Sequence, residues 1–414
     1  LLPSLMAAGI LSPAELGLAV PGPRVGLAPP SPTKVVYGMP LEFRQDTENF
    51  SVQWEAPAID PFIADQVGWD MEAAWEALVE EQGWQAPVSS DAYLLTVILD
   101  PDLGGTGLTA TVSDDAFPAG VPVIYVNPDV SSGESFRSSV SAHEFAHALQ
   151  FAVRDWYTGS ETESWYWEAS AEWQAELALP GLDTYAWSAQ YYAAAPHADH
   201  FSMAGYHQYG MFLLNAYLDE YVLGSDGFRD IWQYNQARDW TEEIAEEVGE
   251  DPALIWAGFS AAYIAEAFRE SDLYPQPITV DGTTTLEGWL GTHYIPLGSV
   301  SGEVVLDGGV GAVVRGKDWV VFEEEAEIPA GGQDVWLVVV NPDREPLSYT
   351  WSIVRPEESD TGTEDDGREG VDLAELAGGD GLSGKACGCT TAPHPVMPWL
   401  LLPALAWRRR APIG

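Results

Sequence analysis

Apolar residues recur along the chain with two different periods, and the switch between them marks out its parts. Phe50, Val52 and Trp54 alternate with polar residues, the pattern of a half-buried strand. Val67, Met71, Ala74, Trp75, Leu78 and Val79 return at helical spacing, and Gly83 ends that helix. Tyr93 to Leu99 is an unbroken apolar run closed by Asp100 and Pro101, and Gly107 to Val112 and Val121 to Val126 read as two more strands. Two long helices follow. The S-x-x-E pairs Ser131/Glu134 and Ser160/Glu163 mark their starts; the first runs to about Arg154, the second to Pro180 and Gly181. Further helical stretches cover Tyr209 to Tyr221 and Pro252 to Phe268.

From about Ile278 to Val354 the pattern becomes short β-rich runs, "EVVLDG", "DWVVFEEE", "DVWLVVVNP" and "LSYTWSIV", separated by Gly, Pro and Asp turns. Such spacing predicts a small antiparallel β-sandwich. The expected class is therefore α+β, with a mixed domain over residues 35–275 and the sandwich over 278–355. Residues 1–34 end in "PGPRVGLAPPSPT" and read as a leader remnant or pro-segment with a linker. Residues 356–385 are acidic and Gly-rich, the composition of a disordered tether. Residues 386–414 form a separate tail.

Charge narrows the partners. The net charge is −47 over 414 residues, and the only lysines are Lys34, Lys317 and Lys385. Such a surface repels nucleic acid and anionic membranes and suits either plain solubility or a salty exterior. No pattern along the chain specifies an oligomeric state. Both cysteines, Cys387 and Cys389, lie in the tail, so the folded part has no disulfide and no thiol chemistry. The opening "LLPSLMAAGILSPAELGLAV" lacks a basic segment and is interrupted by Pro3 and Pro13, so it does not read as an intact signal peptide. No apolar run reaches eighteen residues, which leaves no ordinary membrane-spanning helix.

Candidate chemistry sits in the first long helix, which reads "SAHEFAHALQ". His143 and His147 are four apart, so one helical turn brings both imidazoles to the same face, at a separation suited to two ligands of a tetrahedral Zn²⁺. Glu144 lies beside the first ligand, placed to reach a water molecule as general base without binding the metal. A catalytic zinc also needs a third protein ligand and an open position. The metzincin continuation of HExxH requires Gly at 150 and His at 153; Gln150 and Val153 stand there, which excludes that class. His197 and His200 make an H-x-x-H that reads as a polar loop pair rather than a second metal site.

The next helix carries "WYWEASAEWQAE", and together with the HExxH string it resembles the gluzincin class of zinc peptidases. The resemblance implies a zincin-like catalytic domain, with Glu168 as third ligand and Glu172, one turn on, as the carboxylate that orients a ligand histidine. It also implies that the strand before the HExxH helix, Val121 to Val126, is the edge on which an extended peptide lies. A Tyr or His on a later helix should stabilise the oxyanion, and Tyr206, His207 and Tyr209 are all candidates. No "GxMEN"-like exopeptidase string precedes His143, which favours an endopeptidase. The tail, "GKACGCTTAPHPVMPWLLLPALAWRRRAPIG", joins a Cys motif, a short apolar segment and three arginines. It resembles the C-terminal sorting tails of myxobacterial surface proteins (the MYXO-CTERM type). The implied location is outside the cell, on the outer-membrane surface or secreted, after transient contact of the tail with membrane or sorting machinery. The expectation is a zinc metalloendopeptidase acting on extracellular proteins or peptides. The alternative is a non-catalytic surface or adhesive protein that keeps the zincin scaffold and binds through the sandwich.

Overall fold

The structure, a computed structural model, describes residues 34–130, 133–154, 160–233, 239–269, 271–279 and 285–355. Apart from Lys34, the N-terminal segment lies outside these residues, as do Ser131, His394, the acidic tether and the Cys-containing tail.

Strands β1 (Val35–Val36), β2 (Phe43–Asp46), β3 (Phe50–Trp54), β4 (Tyr93–Leu99), β5 (Gly107–Asp114) and β6 (Phe117–Val126) form one mixed sheet in the order β2-β3-β4-β6-β5, with β1 also paired to β4. Strands β3, β4 and β6 run parallel, while β2 and β5 are antiparallel to their neighbours. This corrects the expectation that Val121–Val126 is an edge. β5 and β6 make a long hairpin, Gly107 opposite Val126 and Asp114 opposite Phe117, so β5 takes the outer position. Which strand of a hairpin faces the rest of the sheet is settled by packing, not by its own alternation.

Helix α1 (Pro61–Trp75) starts where the Asp60 carboxylate accepts the Phe62 N–H at 3.0 Å and Pro61 fills a position needing no N–H. Ala64, Val67, Met71, Ala74 and Trp75 form its buried stripe, and Gly83, at φ 74°, closes the following turn. Helix α2 (Glu134–Val153) lies across the sheet between α1 and α3 (Glu161–Ala178). Phe145 fixes it there, its ring 5.3 Å from Phe50 on β3 and 5.9 Å from Trp75 on α1. In α3, Ala169 and Ala171 are fully buried, and Trp165, Tyr166, Trp167 and Trp173 anchor the helix in the core.

Short helices α4 (Ala189–Ala194), α5 (His207–Gly210), α6 (Phe212–Tyr217), α7 (Gly224–Gln233) and α8 (Trp240–Val248) lead to α9 (Pro252–Ile264). The single helix expected over 209–221 is instead broken at Met211, and its end widens, with Leu223 N–H bonding to the Leu218 carbonyl. α9 stops short of Phe268 because Glu266 adopts φ 49°.

The remaining strands are β7 (Thr285–Leu286), β8 (Thr292–Gly298), β9 (Glu303–Asp307), β10 (Val310–Arg315), β11 (Asp318–Phe322), β12 (Glu325–Glu327), β13 (Val335–Val340), β14 (Leu347–Ser348) and β15 (Thr350–Val354). They pair as a four-stranded antiparallel sheet, β11-β10-β13-β8, a three-stranded one, β12-β9-β15, and the small pair β14-β7. Alternation along β10 and β13 explains why their runs are apolar throughout. Val313, Leu337 and Val339 join a core with Val304 and Leu306 of the three-stranded sheet, whereas Ala312, Val314, Val338 and Val340 join the core that contains α9. The mixed sheet, the helices and the four-stranded sheet thus share one continuous core, and the described residues belong to one compact unit. The fold is α+β, with a mixed sheet and several small antiparallel sheets. Among the described residues no helix is long and apolar enough to cross a membrane.

Candidate metal centre

Helix α2 presents three faces to three neighbours. Ala142, Phe145 and Leu149 enter the core. His143 and His147 turn toward α3, their rings 4.7 Å apart. Glu144 turns the other way, toward β5, where the Thr109 hydroxyl lies 2.7 Å from its carbonyl oxygen and 2.8 Å from its Oε2. Room for that carboxylate comes from Gly107, since a Cβ there would stand 2.4 Å from Glu144 Oε1.

On α3, Glu168 Oε2 lies 3.2 Å from His143 Nε2 and 3.7 Å from His147 Nε2. These three residues are the one group among the described residues able to hold a metal ion, with ligand atoms all within 4.8 Å of one another. Ligands about 2.0–2.1 Å from a tetrahedral ion sit about 3.3 Å from each other, close to the two Glu168–imidazole distances. The other ring nitrogens are engaged from behind. His143 Nδ1 meets Glu172 Oε2 at 3.1 Å, and Glu172 Oε1 accepts the Ser188 hydroxyl at 2.7 Å. His147 Nδ1 meets Gln150 Oε1 at 2.7 Å. Both Nε2 atoms are therefore left to face Glu168, the arrangement a cation requires.

Electrostatics point the same way. Burial disfavours the charged form of His143, yet Glu168 and Glu172 together outweigh it and hold the imidazole well above its usual range. Burial likewise opposes ionisation of Glu168, but the two imidazoles keep its carboxyl well below the ordinary value. Burial raises Glu144, against the pull of His147, His143 and Thr109. The Tyr209 hydroxyl is pushed far up by burial and by Glu168, Glu172 and Glu144. The main charges here are the site's own carboxylates and imidazoles, with no lysine or arginine among them. The carboxylates around His143 favour a positive charge there, which a divalent ion would supply. The donor set, its spacing and its charge deficit all fit such an ion.

The three later candidates separate. Tyr209 reaches the centre: its ring is 6.1 Å from that of His143, close enough for Glu168 to bear on its hydroxyl. Tyr206 lies one step out, 6.4 Å from Tyr209 and 5.4 Å from Tyr191, with a left-handed backbone at φ 65°. His207 turns away. It is buried against Tyr192, and burial takes its pKa down to about 4. His200 also stays out of the centre, buried between the Trp289 carbonyl and Thr241 Oγ1. Gly107, Thr109 and Ser188 were not legible as site residues, because strand and loop contacts to a distant helix leave no periodic trace. Gln150 was visible only as the residue that excluded another class.

A search of curated proteins found no match to this chain. Residues 46–253 match the model of a family of unknown function (DUF6055), a stretch from the end of β2 to the start of α9 that encloses every residue of the centre. That match covers half of the 414-residue chain, which therefore belongs to the DUF6055 family.

Proposed function

We propose that this protein is an exported zinc-dependent metalloendopeptidase, with a zincin-like catalytic domain over residues 35–275 followed by a small β-sandwich. One observation carries the reading. Two imidazole Nε2 atoms lie 3.2 and 3.7 Å from one carboxylate oxygen of Glu168, while Glu144, on the same helix as the imidazoles, stays outside that set and is held separately by Thr109. A purely structural metal site has no use for a second, independently positioned carboxylate.

His143, His147 and Glu168 would hold Zn²⁺, which supplies polarisation of a carbonyl oxygen and lowers the pKa of water. Glu144 takes the proton of the attacking water on its carboxylate and returns it to the leaving amine. Burial raises its pKa, which strengthens it as a base relative to an exposed glutamate. The Tyr209 hydroxyl keeps its proton at neutral pH and donates a hydrogen bond to the developing oxyanion. Tyr206 and His207 drop out of that role on position. β5, the outer strand beside Glu144, replaces Val121–Val126 as the strand on which an extended peptide adds by backbone pairing.

The test combines metal analysis with a broad peptide digest by wild type and Glu144→Gln. The expected result is about one zinc per chain in both proteins, the two-His, one-carboxylate stoichiometry, and cleavage only by wild type. A folded wild type that takes up no zinc overturns the enzyme reading. Zinc without cleavage of any peptide moves the protein to the scaffold-and-binding alternative.

A further inference from the structure

Gln150 lies one turn beyond His147 on the same face of α2 and is fully buried. Its amide nitrogen donates to the Trp167 carbonyl at 3.1 Å and to Ser170 Oγ at 3.0 Å. Both partners are acceptors. A carbonyl cannot be otherwise, and the Ser170 hydroxyl spends its proton on the Tyr166 carbonyl at 2.5 Å. The orientation of the amide is thereby decided: its nitrogen faces α3 and its oxygen faces His147. An amide oxygen only accepts, so the 2.7 Å contact requires His147 Nδ1 to carry the hydrogen. In the neutral ring Nε2 is then the nitrogen with the lone pair, on the side of Glu168 and free for a cation.

We propose that Gln150 is the positioning residue of the centre, fixing the tautomer and ring direction of His147 and tying it to the stretch of α3 that carries Glu168. Trp167 immediately precedes Glu168 and Ser170 follows it by two, so one amide braces two ligands against each other. The two histidines are oriented by different chemistry. Glu172, a carboxylate, backs His143; a neutral amide backs His147. A second backing carboxylate would add a fourth negative group to a centre that already holds Glu144, Glu168 and Glu172 and has no arginine or lysine among its main charges. Gln150 orients without adding charge.

The inference rests on the metal-centre reading above, and its test separates the two. Long-range ¹H–¹⁵N spectra of the histidine-labelled, metal-free protein report the tautomer directly, and zinc affinity is measured by competition with a chromogenic chelator. The expected outcome is His147 in the Nδ1–H form, and a Gln150→Met variant with wild-type circular dichroism whose zinc affinity falls about 10–100-fold, the usual loss when such an outer partner is removed. Ser170→Ala, which leaves the Trp167 carbonyl to hold the amide, should bind zinc within about threefold of wild type, well short of that loss. An Nε2–H tautomer overturns the proposal, as does a folded Gln150→Met that binds zinc like wild type. If Gln150→Met does not fold, the tautomer decides alone. Failure of wild type to bind zinc overturns the proposed function and leaves the tautomer measurement to judge this inference.

Discussion

Gly107→Ala is the sharpest perturbation the centre offers. The backbone of Gly107 has an ordinary φ, so alanine is conformationally allowed and only space is at issue. The new Cβ would stand 2.4 Å from Glu144 Oε1, 2.6 Å from Cγ and 2.8 Å from Cδ, where ordinary contact begins near 3.4 Å. About 1 Å of movement is needed, and the backbone on the strand side resists it. Gly107 pairs with Val126, and Asn127 N–H holds the Thr106 carbonyl at 2.9 Å. The helix is clamped too, by Phe145 between Phe50 and Trp75. What yields is the Glu144 carboxylate, which must swing and loosen its 2.8 Å bond from Thr109. A misplacement of about 1 Å at a reacting group costs about 10²-fold in rate, or about 2.7 kcal/mol of barrier. Overpacking adds a stability loss of about 1–3 kcal/mol. The ligands face the other way, so zinc content should not change. The assay is steady-state peptide hydrolysis normalised to bound zinc, with thermal unfolding alongside. Gly104→Ala, whose Cβ meets nothing within 4 Å, is the control. The expected pattern is a kcat about a hundredfold lower for Gly107→Ala and unchanged for Gly104→Ala. A fully zinc-loaded Gly107→Ala within threefold of wild type refutes the claim that this glycine exists to seat Glu144.

Two further predictions concern stability. Burial takes His200 down to about 3 from 6.5, so between those values the unfolded chain binds a proton that the folded chain refuses, and stability falls with falling pH by about 2 kcal/mol per such group from pH 7 to 5. In denaturant titrations at both pH values, His200→Asn should lose about that much of the wild-type dependence, whereas an unaltered dependence, or a folded-state titration near 6.5, refutes the assignment. The Arg154 guanidinium and the Glu243 carboxylate form an ion pair with both side chains inaccessible to solvent, so Arg154→Met should cost about 3–5 kcal/mol at pH 8. The deficit should shrink on acidification, because burial already raises Glu243 to about 7 and the freed carboxyl then takes a proton; a deficit independent of pH would refute this.

Period and apolar runs carried the placement of strands β3, β4 and β6 and helices α1 to α3. They did not carry burial in β3, which was read as half-buried but is buried on both faces, Ser51 and Gln53 included. The reading was less complete where two neighbours compete. Strands β8 and β10 had no alternating signal of their own, and the widened turn after Tyr217 left no mark on the apolar pattern. The convergence of His143 and His147 needed only one helical turn of arithmetic. Placing Glu168 opposite them needed a second helix to dock in one register, which the sequence suggested only through resemblance. Thr109 and Gly107 act across 35 or more residues of separation, and nothing local records such a contact.

The break at Met211 shows how distant parts of the chain bear on the centre. Gly210 sits so close to Tyr192 that a Cβ there would lie 2.4 Å from the Tyr192 backbone nitrogen, so this glycine lets α5 press directly on α4. Tyr192 cannot retreat, because its hydroxyl bonds to Tyr294 on β8 at 2.9 Å and to Ser260 on α9 at 3.3 Å. Ser260 in turn reaches Thr292 of the same strand at 3.1 Å. The residue that immediately precedes Gly210 is Tyr209, whose ring lies 6.1 Å from that of His143. A chain of buried contacts therefore runs from the four-stranded C-terminal sheet through Tyr294, Tyr192 and Gly210 to the tyrosine at the centre. The C-terminal sheet is part of the wall that holds Tyr209 against the ligand helix, which is a physical reason for a sheet that shares its core with α9 rather than hanging from the helices on a linker.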